Sequence, residues 1–279
     1  MRIAVTGSKG QLGVALQKAL AHDELLLMDL PEHDITDLSA TLATLADFKP
    51  DVTIHGAAMT DVDGCERDPD LAYRVNVLGT RNIAVAAHRV GSAVAYISTD
   101  YVFDGLKPEP YREYDETNPL SVYARTKWIG EQVVRQMAPE HYIVRVAWLY
   151  GAGPRNFVRT VLRLGREQDT IHMVTDEVGS PTYAADAAQA LARLIQQPAY
   201  GTYQLPNAGV CSRYEWAQEI LRLTGNTRVE LVPTQNYQRA ARVPKRVEMI
   251  NFFGAELGIV MRPWQEALVE YLETGEAHG

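Results

Sequence analysis

Cysteine is scarce in this sequence: only Cys65 and Cys211 occur among its 279 residues. Two thiols so far apart in the chain supply neither a disulfide framework nor a clustered zinc site, which is typical of a reducing compartment. The opening residues, MRIAVTG, lead directly into a strand pattern and carry no signal-peptide features. We therefore expect a cytoplasmic protein with two ordinary thiols and no metal site.

An excess of positive charge and long apolar segments are absent as well. The chain has 27 Lys and Arg residues against 35 Asp and Glu residues, so its formal net charge of −8 offers no positive field to a phosphate backbone. The sequence also contains no run of about 18 apolar residues, the length that spans a bilayer as a helix. We expect neither nucleic acid nor a membrane as a partner.

Short apolar segments alternate with helical patterns through the first half of the chain. The segments are rich in Val and Ile, as buried strands are, and apolar residues at three- and four-residue spacing predict crossover helices between them. Strands are predicted at 2–6, 24–29, 51–55, 93–98 and 142–147, and helices at 11–21, 38–48, 71–90 and 122–137. This alternation predicts an α/β fold with a doubly wound parallel sheet.

The pattern changes after about Tyr150, where a second, smaller lobe is predicted to begin. Helices are predicted at 158–167, 183–196 and 262–273, and strands at 171–174 and 201–205. Residues from about 176 to 206 are expected to return to the first sheet, which makes the smaller lobe discontinuous. The predicted domains are therefore 1–150, with that returning segment, and a mainly substrate-binding lobe over 151–279.

Three glycines, Gly7, Gly10 and Gly13, lie between the first predicted strand and the first helix. A turn of this kind lets the backbone approach a pyrophosphate and presents free N–H groups, although tight turns use glycine for other reasons too. Asp29 follows at the roughly 20-residue offset where a carboxylate accepts from a ribose hydroxyl; the alternative is a plain turn residue. Because residues 30–33 include no Arg or Lys for a 2′-phosphate, we predict a weak preference for NADH over NADPH.

Three further side chains suggest carbonyl reduction. Tyr123 and Lys127 are spaced so that they share one face of a predicted helix, and a nearby ammonium lowers the pKa of a phenol that can protonate a ketone oxygen. Thr99 follows a predicted strand, at the sheet edge where ligands bind, and its hydroxyl can polarise a carbonyl. The alternatives are a surface tyrosine with a solvated lysine and a strand-end cap. We predict Thr99, Tyr123 and Lys127 as the catalytic residues.

Several motifs occur in the order typical of one enzyme family. They are GSKGQLG at 7–13, AAMTDVDGCE at 57–66, NVLGTRNIA at 76–84, STDYVFDG at 98–105, YARTK at 123–127, NFVRTVL at 156–162 and GSPTY at 179–183. On these motifs the chain resembles the extended short-chain dehydrogenases/reductases and, within them, the dTDP-4-dehydrorhamnose reductase family. The resemblance implies a Rossmann-like NAD(P)-binding domain and NAD(P)H-dependent reduction of the C4 ketone of dTDP-4-dehydro-L-rhamnose to dTDP-L-rhamnose.

The resemblance also implies roles for individual residues. Asn76 is expected to point inward. The cofactor-binding residues expected from the loop and the resemblance together are Gly7, Gly10, Gln11, Leu12, Gly13, Asp29, Asp34, Ile35, Ala57, Ala58, Thr60, Tyr123 and Lys127. The expected substrate-binding residues are Thr60, Val62, Thr99, Asp100, Tyr101, Trp148 and Arg242.

The sequence departs from the family near its end. The family tends to carry an Arg-Pro-x-Asn-Ser stretch, where this chain reads ARVPKRVEMINF from position 241 and keeps only Arg242. Arg239, Arg242, Lys245 and Arg246 can pair with a diphosphate, or form a solvated basic loop. Two other functions remain open: a 4-ketoreductase of another nucleotide 6-deoxyhexose, and a non-catalytic NAD(P)-binding regulatory subunit. We expect a monomer or a homodimer, without the metal bridge of some relatives, because Ala15 replaces an acidic residue.

Overall fold

A computed structural model describes residues 1–153, 155–235 and 237–277. Pro154, Asn236, His278 and Gly279 belong to the predicted smaller lobe and lie outside the described residues. The strands are β1 (Arg2–Thr6), β2 (Glu24–Met28), β3 (Val52–His55), β4 (Ala93–Thr99), β5 (His141–Val146), β6 (Leu149–Tyr150), β7 (Thr170–Val174), β8 (Val178–Gly179), β9 (Thr182–Tyr183), β10 (Gly201–Gln204), β11 (Cys211–Ser212), β12 (Glu230–Thr234) and β13 (Arg246–Val247).

The helices complete the α/β alternation. They are α1 (Gln11–Ala19), α2 (Leu38–Phe48), α3 (Val62–Arg67), α4 (Pro69–Tyr73), α5 (Thr80–Arg89), α6 (Val122–Met137), α7 (Phe157–Glu167), α8 (Ala184–Leu194), α9 (Arg213–Leu223), α10 (Phe253–Glu256) and α11 (Trp264–Glu273). A π-helical turn spans Arg74–Gly79, and a 3-10 turn spans Asp100–Val102. No helix within the described ranges is long and apolar enough to cross a membrane.

Six parallel strands form the central sheet in the order β10-β5-β4-β3-β1-β2. Alternate residues of β1 face opposite layers: Ile3 and Val5 pack with α1 and α8, whereas Ala4 packs with α2, α5 and α6. Because helices cover both faces, β3 and β4 are buried along their whole length. The predicted doubly wound parallel sheet is confirmed.

The predicted helix over 71–90 is wrong in one respect. The chain instead forms α4, the π-helical turn and α5 in succession. Gly79 lies in the wide turn, where an added Cβ would be 2.6 Å from the Ile35 side chain. Apolar spacing of three and four residues is the same for an α-helix with or without one widened turn, so the pattern did not reveal it.

The chain returns to the sheet after its first excursion. β10 pairs with β5 at the sheet edge, and α8 packs against α1. Small two- and three-stranded sheets and a second apolar cluster, centred on Tyr150, Trp216 and Tyr271, lie outside the main sheet. On this topology we propose a first lobe over 1–150, joined by α8 and β10, and a smaller discontinuous lobe from the rest of 151–279.

A buried ion pair fixes α6 against the sheet. Arg145 of β5 donates from Nε and a terminal nitrogen to the two carboxylate oxygens of Glu131, at 2.9 and 2.8 Å. Ser98 of β4 donates to the same carboxylate at 2.6 Å. The Arg145 and Glu131 side chains are 2% and 0% exposed, so these bonds are shielded from water. Helix α6 is therefore tied to two neighbouring strands.

We expect Glu131→Gln to destabilise the protein by about 3–5 kcal/mol, because the change leaves the Arg145 guanidinium buried without its counter-charge. Urea unfolding followed by circular dichroism measures this. The matched control is Glu167→Gln, which breaks the exposed Arg163–Glu167 pair of α7 and should cost less than about 1 kcal/mol. Equal losses of unfolding free energy in the two variants would contradict the role of Glu131 in fixing α6 to the sheet.

Candidate active site

A cavity of about 730 Å³ opens at the carboxyl edge of the central sheet. Its lining brings together residues from eight separate segments of the sequence. Of the predicted site residues, the lining includes Gly7, Gly10, Gln11, Leu12, Gly13, Asp29, Asp34, Ile35, Ala57, Ala58, Thr60, Val62, Thr99, Asp100, Tyr101, Tyr123, Lys127 and Trp148. Arg242 is exposed and is not part of the lining.

The glycine loop fits a dinucleotide. Gly7 has a φ of +71°, and an added Cβ would lie 2.8 Å from the backbone nitrogen of Ala57. An added Cβ on Gly13 would lie 2.3 Å from the Gly7 carbonyl oxygen. Helix α1 begins after Gly10 without a side-chain cap, so its first-turn amides are available to an anion. The loop therefore combines close backbone packing with free donors, as a pyrophosphate site requires.

Asp29 and Lys9 lie together where the adenosine ribose of a dinucleotide is expected. The two carboxylate oxygens of Asp29 accept from the backbone nitrogens of Lys9 and Leu30, both at 2.8 Å. The Lys9 ammonium donates to the Leu30 carbonyl at 2.7 Å and to Glu32 at 3.1 Å. The prediction of cofactor preference rested on residues 30–33 alone and did not include Lys9, although its position in the glycine loop was the available signal.

Asn76 holds the segment that follows β3. Its Oδ1 accepts from the Met59 nitrogen at 2.8 Å, and its Nδ2 donates to the Met59 carbonyl at 3.1 Å and to Thr126 of α6 at 3.0 Å. The side chain is buried, so it points inward as the resemblance implied. This contact fixes Ala57, Ala58 and Thr60 relative to the catalytic helix.

Tyr123 and Lys127 lie one turn apart on α6, but their electrostatics differ from the expectation. Burial raises the pKa of Tyr123 above its ordinary value, and the Thr99 hydroxyl opposes this only in part. Burial also lowers the pKa of Lys127 to about 7, against the opposing charge of Glu131. The predicted lowering of the tyrosine pKa is therefore wrong. The reason is that desolvation dominates, while the ammonium lies 4.2 Å from the Tyr96 ring centroid.

The Thr99 hydroxyl is hydrogen-bonded to the Asp100 carboxylate. Thr99 Oγ1 donates to Asp100 Oδ1 at 2.9 Å and accepts from the Tyr101 backbone nitrogen at 3.2 Å. Burial raises the pKa of Asp100 to about 6, although the Thr99 hydrogen bond and the charge of Arg213 lower it. Because a hydroxyl has one proton, Thr99 must turn away from Asp100 before it can donate to a carbonyl.

Trp148 forms the wall of the cavity on the side of the smaller lobe. Its φ of +44° is uncommon outside glycine, and its indole stacks against Trp216 and lies beneath the Arg213 guanidinium. Neither helix α9 nor a role for Arg213 was predicted from the sequence. The signal was the Ser212–Glu215 capping box, a Ser-x-x-Glu pattern before an apolar run.

The predicted basic segment is largely paired. Arg239 contacts Asp63 at 3.3 Å, Lys245 contacts Asp176 at 2.7 Å, and Arg246 contacts Glu248 at 2.9 Å. Arg242 forms no ion pair with any residue that the structure describes. A substrate-binding role for Arg242 stays a prediction.

We expect Asp100→Asn to stabilise the protein above about pH 6, by on the order of 2 kcal/mol. The folded-state pKa of Asp100, about 6, exceeds its unfolded value, so the folded protein binds the proton more tightly and loses stability as pH rises between about 4 and 6. Urea unfolding across this range should show the loss in the wild type and a flatter profile in the variant.

Asp104→Asn is the matched control for this experiment. Hydrogen bonds from Asn118, Leu106 and Tyr111 lower the pKa of Asp104, so its contribution has the opposite sign and is lost as pH falls. Parallel pH profiles for the wild type and Asp100→Asn would contradict the assignment.

The chain is similar to known proteins over nearly its whole length. A family model described as the RmlD substrate binding domain matches residues 1–276. The spore coat polysaccharide biosynthesis protein SpsK of Bacillus subtilis is 36% identical, over 98% of this chain and 97% of that protein. A crystal structure of a dTDP-4-dehydrorhamnose reductase from Clostridium acetobutylicum is 42% identical, with a TM-score of 0.95 over 98% of this chain and 99% of that one. The Bacillus anthracis dTDP-4-dehydrorhamnose reductase, in complex with NADP, is 38% identical, with a TM-score of 0.94 over the same shares.

Proposed function

The chain belongs to the RmlD substrate binding domain family, and we propose that it reduces the C4 ketone of dTDP-4-dehydro-L-rhamnose to dTDP-L-rhamnose. It is an oxidoreductase that uses a nicotinamide cofactor. The observation that carries this function is the cavity itself, which collects the glycine loop, Thr99, Tyr123 and Lys127 at one edge of the sheet. The named reductases among the relatives match nearly the whole chain, which supports the substrate.

The cofactor would be held by residues that follow β1, β2 and β3 at the carboxyl edge of the sheet. The first-turn amides of α1 and the loop Gly7–Gly10–Gly13 bind the pyrophosphate, and Asp29 accepts from the adenosine ribose. Asp34 and Ile35 would hold the adenine, and the segment held by Asn76 would hold the nicotinamide half. When bound, NAD(P)H would supply the hydride. Lys127 would hold the nicotinamide ribose.

Tyr123 supplies the proton. Its raised pKa keeps the phenol protonated near neutral pH, and the phenol donates to the carbonyl oxygen as negative charge develops there. Thr99, turned away from Asp100, donates a second hydrogen bond to the same oxygen. Thr60, Val62, Tyr101 and Trp148 enclose the sugar and exclude water.

We expect Tyr123→Phe to lower kcat by at least about 100-fold, because it removes the proton donor, while the Kd of NADH stays within about threefold. The assay follows NADH oxidation with dTDP-4-keto-6-deoxyglucose and a 3,5-epimerase, and fluorescence titration measures cofactor binding. Tyr200→Phe, which changes an exposed tyrosine paired with Glu140, should retain wild-type turnover.

Three outcomes of this assay would contradict the proposal in different ways. Near-normal turnover of Tyr123→Phe would refute the role of the phenol. Cofactor binding by the wild type without NADH oxidation would favour a regulatory subunit. A product whose NMR spectrum shows another C4 configuration would favour a ketoreductase of a different 6-deoxyhexose.

The cofactor preference rests on two opposed charges. Asp29 repels a 2′-phosphate and favours NADH, whereas the neighbouring Lys9 ammonium can pair with that phosphate and keeps NADPH usable. The net preference that we propose is a weak one for NADH. A cytoplasmic location and the choice between monomer and homodimer stay predictions.

We expect Asp29→Asn to shift the ratio of kcat/KM values about tenfold toward NADPH, and Lys9→Gln to shift it by a similar factor toward NADH. Steady-state kinetics with both cofactors at one fixed sugar concentration measure the ratio. A wild type that uses NADPH far better than NADH, or variants that leave the ratio unchanged, would overturn this assignment.

A further inference from the structure

Arg213 is the first residue of α9, and its backbone is firmly positioned. Ser212 caps the helix and forms a capping box with Glu215. The Arg213 nitrogen donates to the Glu177 carbonyl at 3.1 Å, and β11, which ends just before it, pairs with β8. The side chain therefore leaves from a fixed point and lines the same cavity as the catalytic residues.

The Arg213 guanidinium has aromatic partners but almost no acceptors. Its Cζ lies 3.5 Å from the Trp148 ring centroid and 5.0 Å from that of Phe157, so the cation is held against aromatic faces. Its nearest carboxylate is Glu177, with Nε and Oε2 3.8 Å apart, which is too long for a hydrogen bond. Within the described ranges the guanidinium donates no hydrogen bond, so its donors are available to a ligand in the cavity.

Arg213 is close enough to Asp100 and Tyr101 for its charge to influence their ionisation. Its positive charge lowers the pKa of both Asp100 and Tyr101, while burial raises them. Tyr101 in turn meets the Tyr123 ring edge-on, with centroids 6.1 Å apart. The cation thus acts on two residues beside the phenol, and it is held on Trp148, which lines the same cavity.

A nucleotide sugar presents an anion at this position. In a pyranose whose C4 carbonyl meets Tyr123, C1 and its diphosphate lie on the opposite side of the ring. The basic residues Arg239, Lys245 and Arg246 are already paired with carboxylates. Arg213 lines the cavity, and its N–H groups have no hydrogen-bond acceptor among the described residues. A planar guanidinium can donate two parallel hydrogen bonds to phosphate oxygens.

We propose that Arg213 binds the diphosphate of the nucleotide-sugar substrate, with Trp148 holding the plane of its guanidinium. The assignment rests on the proposed function for the identity of the sugar. Arg213 is a binding residue with no part in the proton transfer, so its loss should act on KM rather than on kcat.

The test compares Arg213→Met and Arg213→Lys with the wild type by calorimetric titration of dTDP and of thymidine, in the presence of NADH. We expect Arg213→Met to weaken dTDP binding by at least tenfold and to leave thymidine binding within about threefold, with Arg213→Lys between the two. The KM for the nucleotide sugar should rise in parallel while kcat stays within about threefold. The matched control is Arg222→Met, an exposed position on the same helix, which should change neither.

Two results would overturn the proposal. Unchanged dTDP affinity in Arg213→Met would show that the cation only packs against Trp148. Equal losses for dTDP and thymidine, with a lowered melting temperature, would show a structural role for the residue. The affinities for dTDP and for thymidine are measured by titration, so they do not depend on the reductase assay. Failure of the wild type to oxidise NADH would instead refute the proposed function.

Discussion

The buried pair of Glu131 and Arg145 determines where the catalytic helix lies. Tyr123, Lys127 and Glu131 are spaced four residues apart, so they share one face of α6. Because Glu131 is bound to β4 and β5 through Ser98 and Arg145, the face that carries the phenol and the ammonium is held at the carboxyl edge of the sheet. The position of Tyr123, the proton donor that we propose, is therefore a consequence of an ion pair between two other residues.

The same burial controls the chemistry of the site. Desolvation disfavours the charged forms of Tyr123 and Lys127. It therefore raises the pKa of the tyrosine and lowers the pKa of the lysine. A phenol that stays protonated suits a reductase, whose tyrosine must give up a proton only as the carbonyl oxygen becomes negative. Asp100 has the same dependence on burial and holds the hydroxyl proton of Thr99 while it is ionised.

The features that the sequence predicted well are those whose geometry is local. The glycine loop, the strand-end Thr99 and the Tyr123–Lys127 spacing each lie within a few residues of one chain segment, and the α/β alternation then places all three at one sheet edge. The bounds of most of the predicted helices follow from the same short-range patterns. Prediction is reliable here because the backbone alone determines which side chains meet.

The residues that the sequence did not reveal depend on contacts between distant segments. Lys9 acquires its role by reaching Leu30 and Glu32 on the next strand's loop. The wall that we propose for the sugar pocket depends on such packing as well. Trp148, which the resemblance implied, has a left-handed conformation, an added Cβ on Gly179 would lie 2.5 Å from its indole, and the Arg213 Cζ lies 3.5 Å from its ring centroid. No spacing rule joins positions 148, 179 and 213, because only the packing of the smaller lobe brings them together. The contacts that we propose for substrate recognition are therefore the ones that local sequence patterns did not predict.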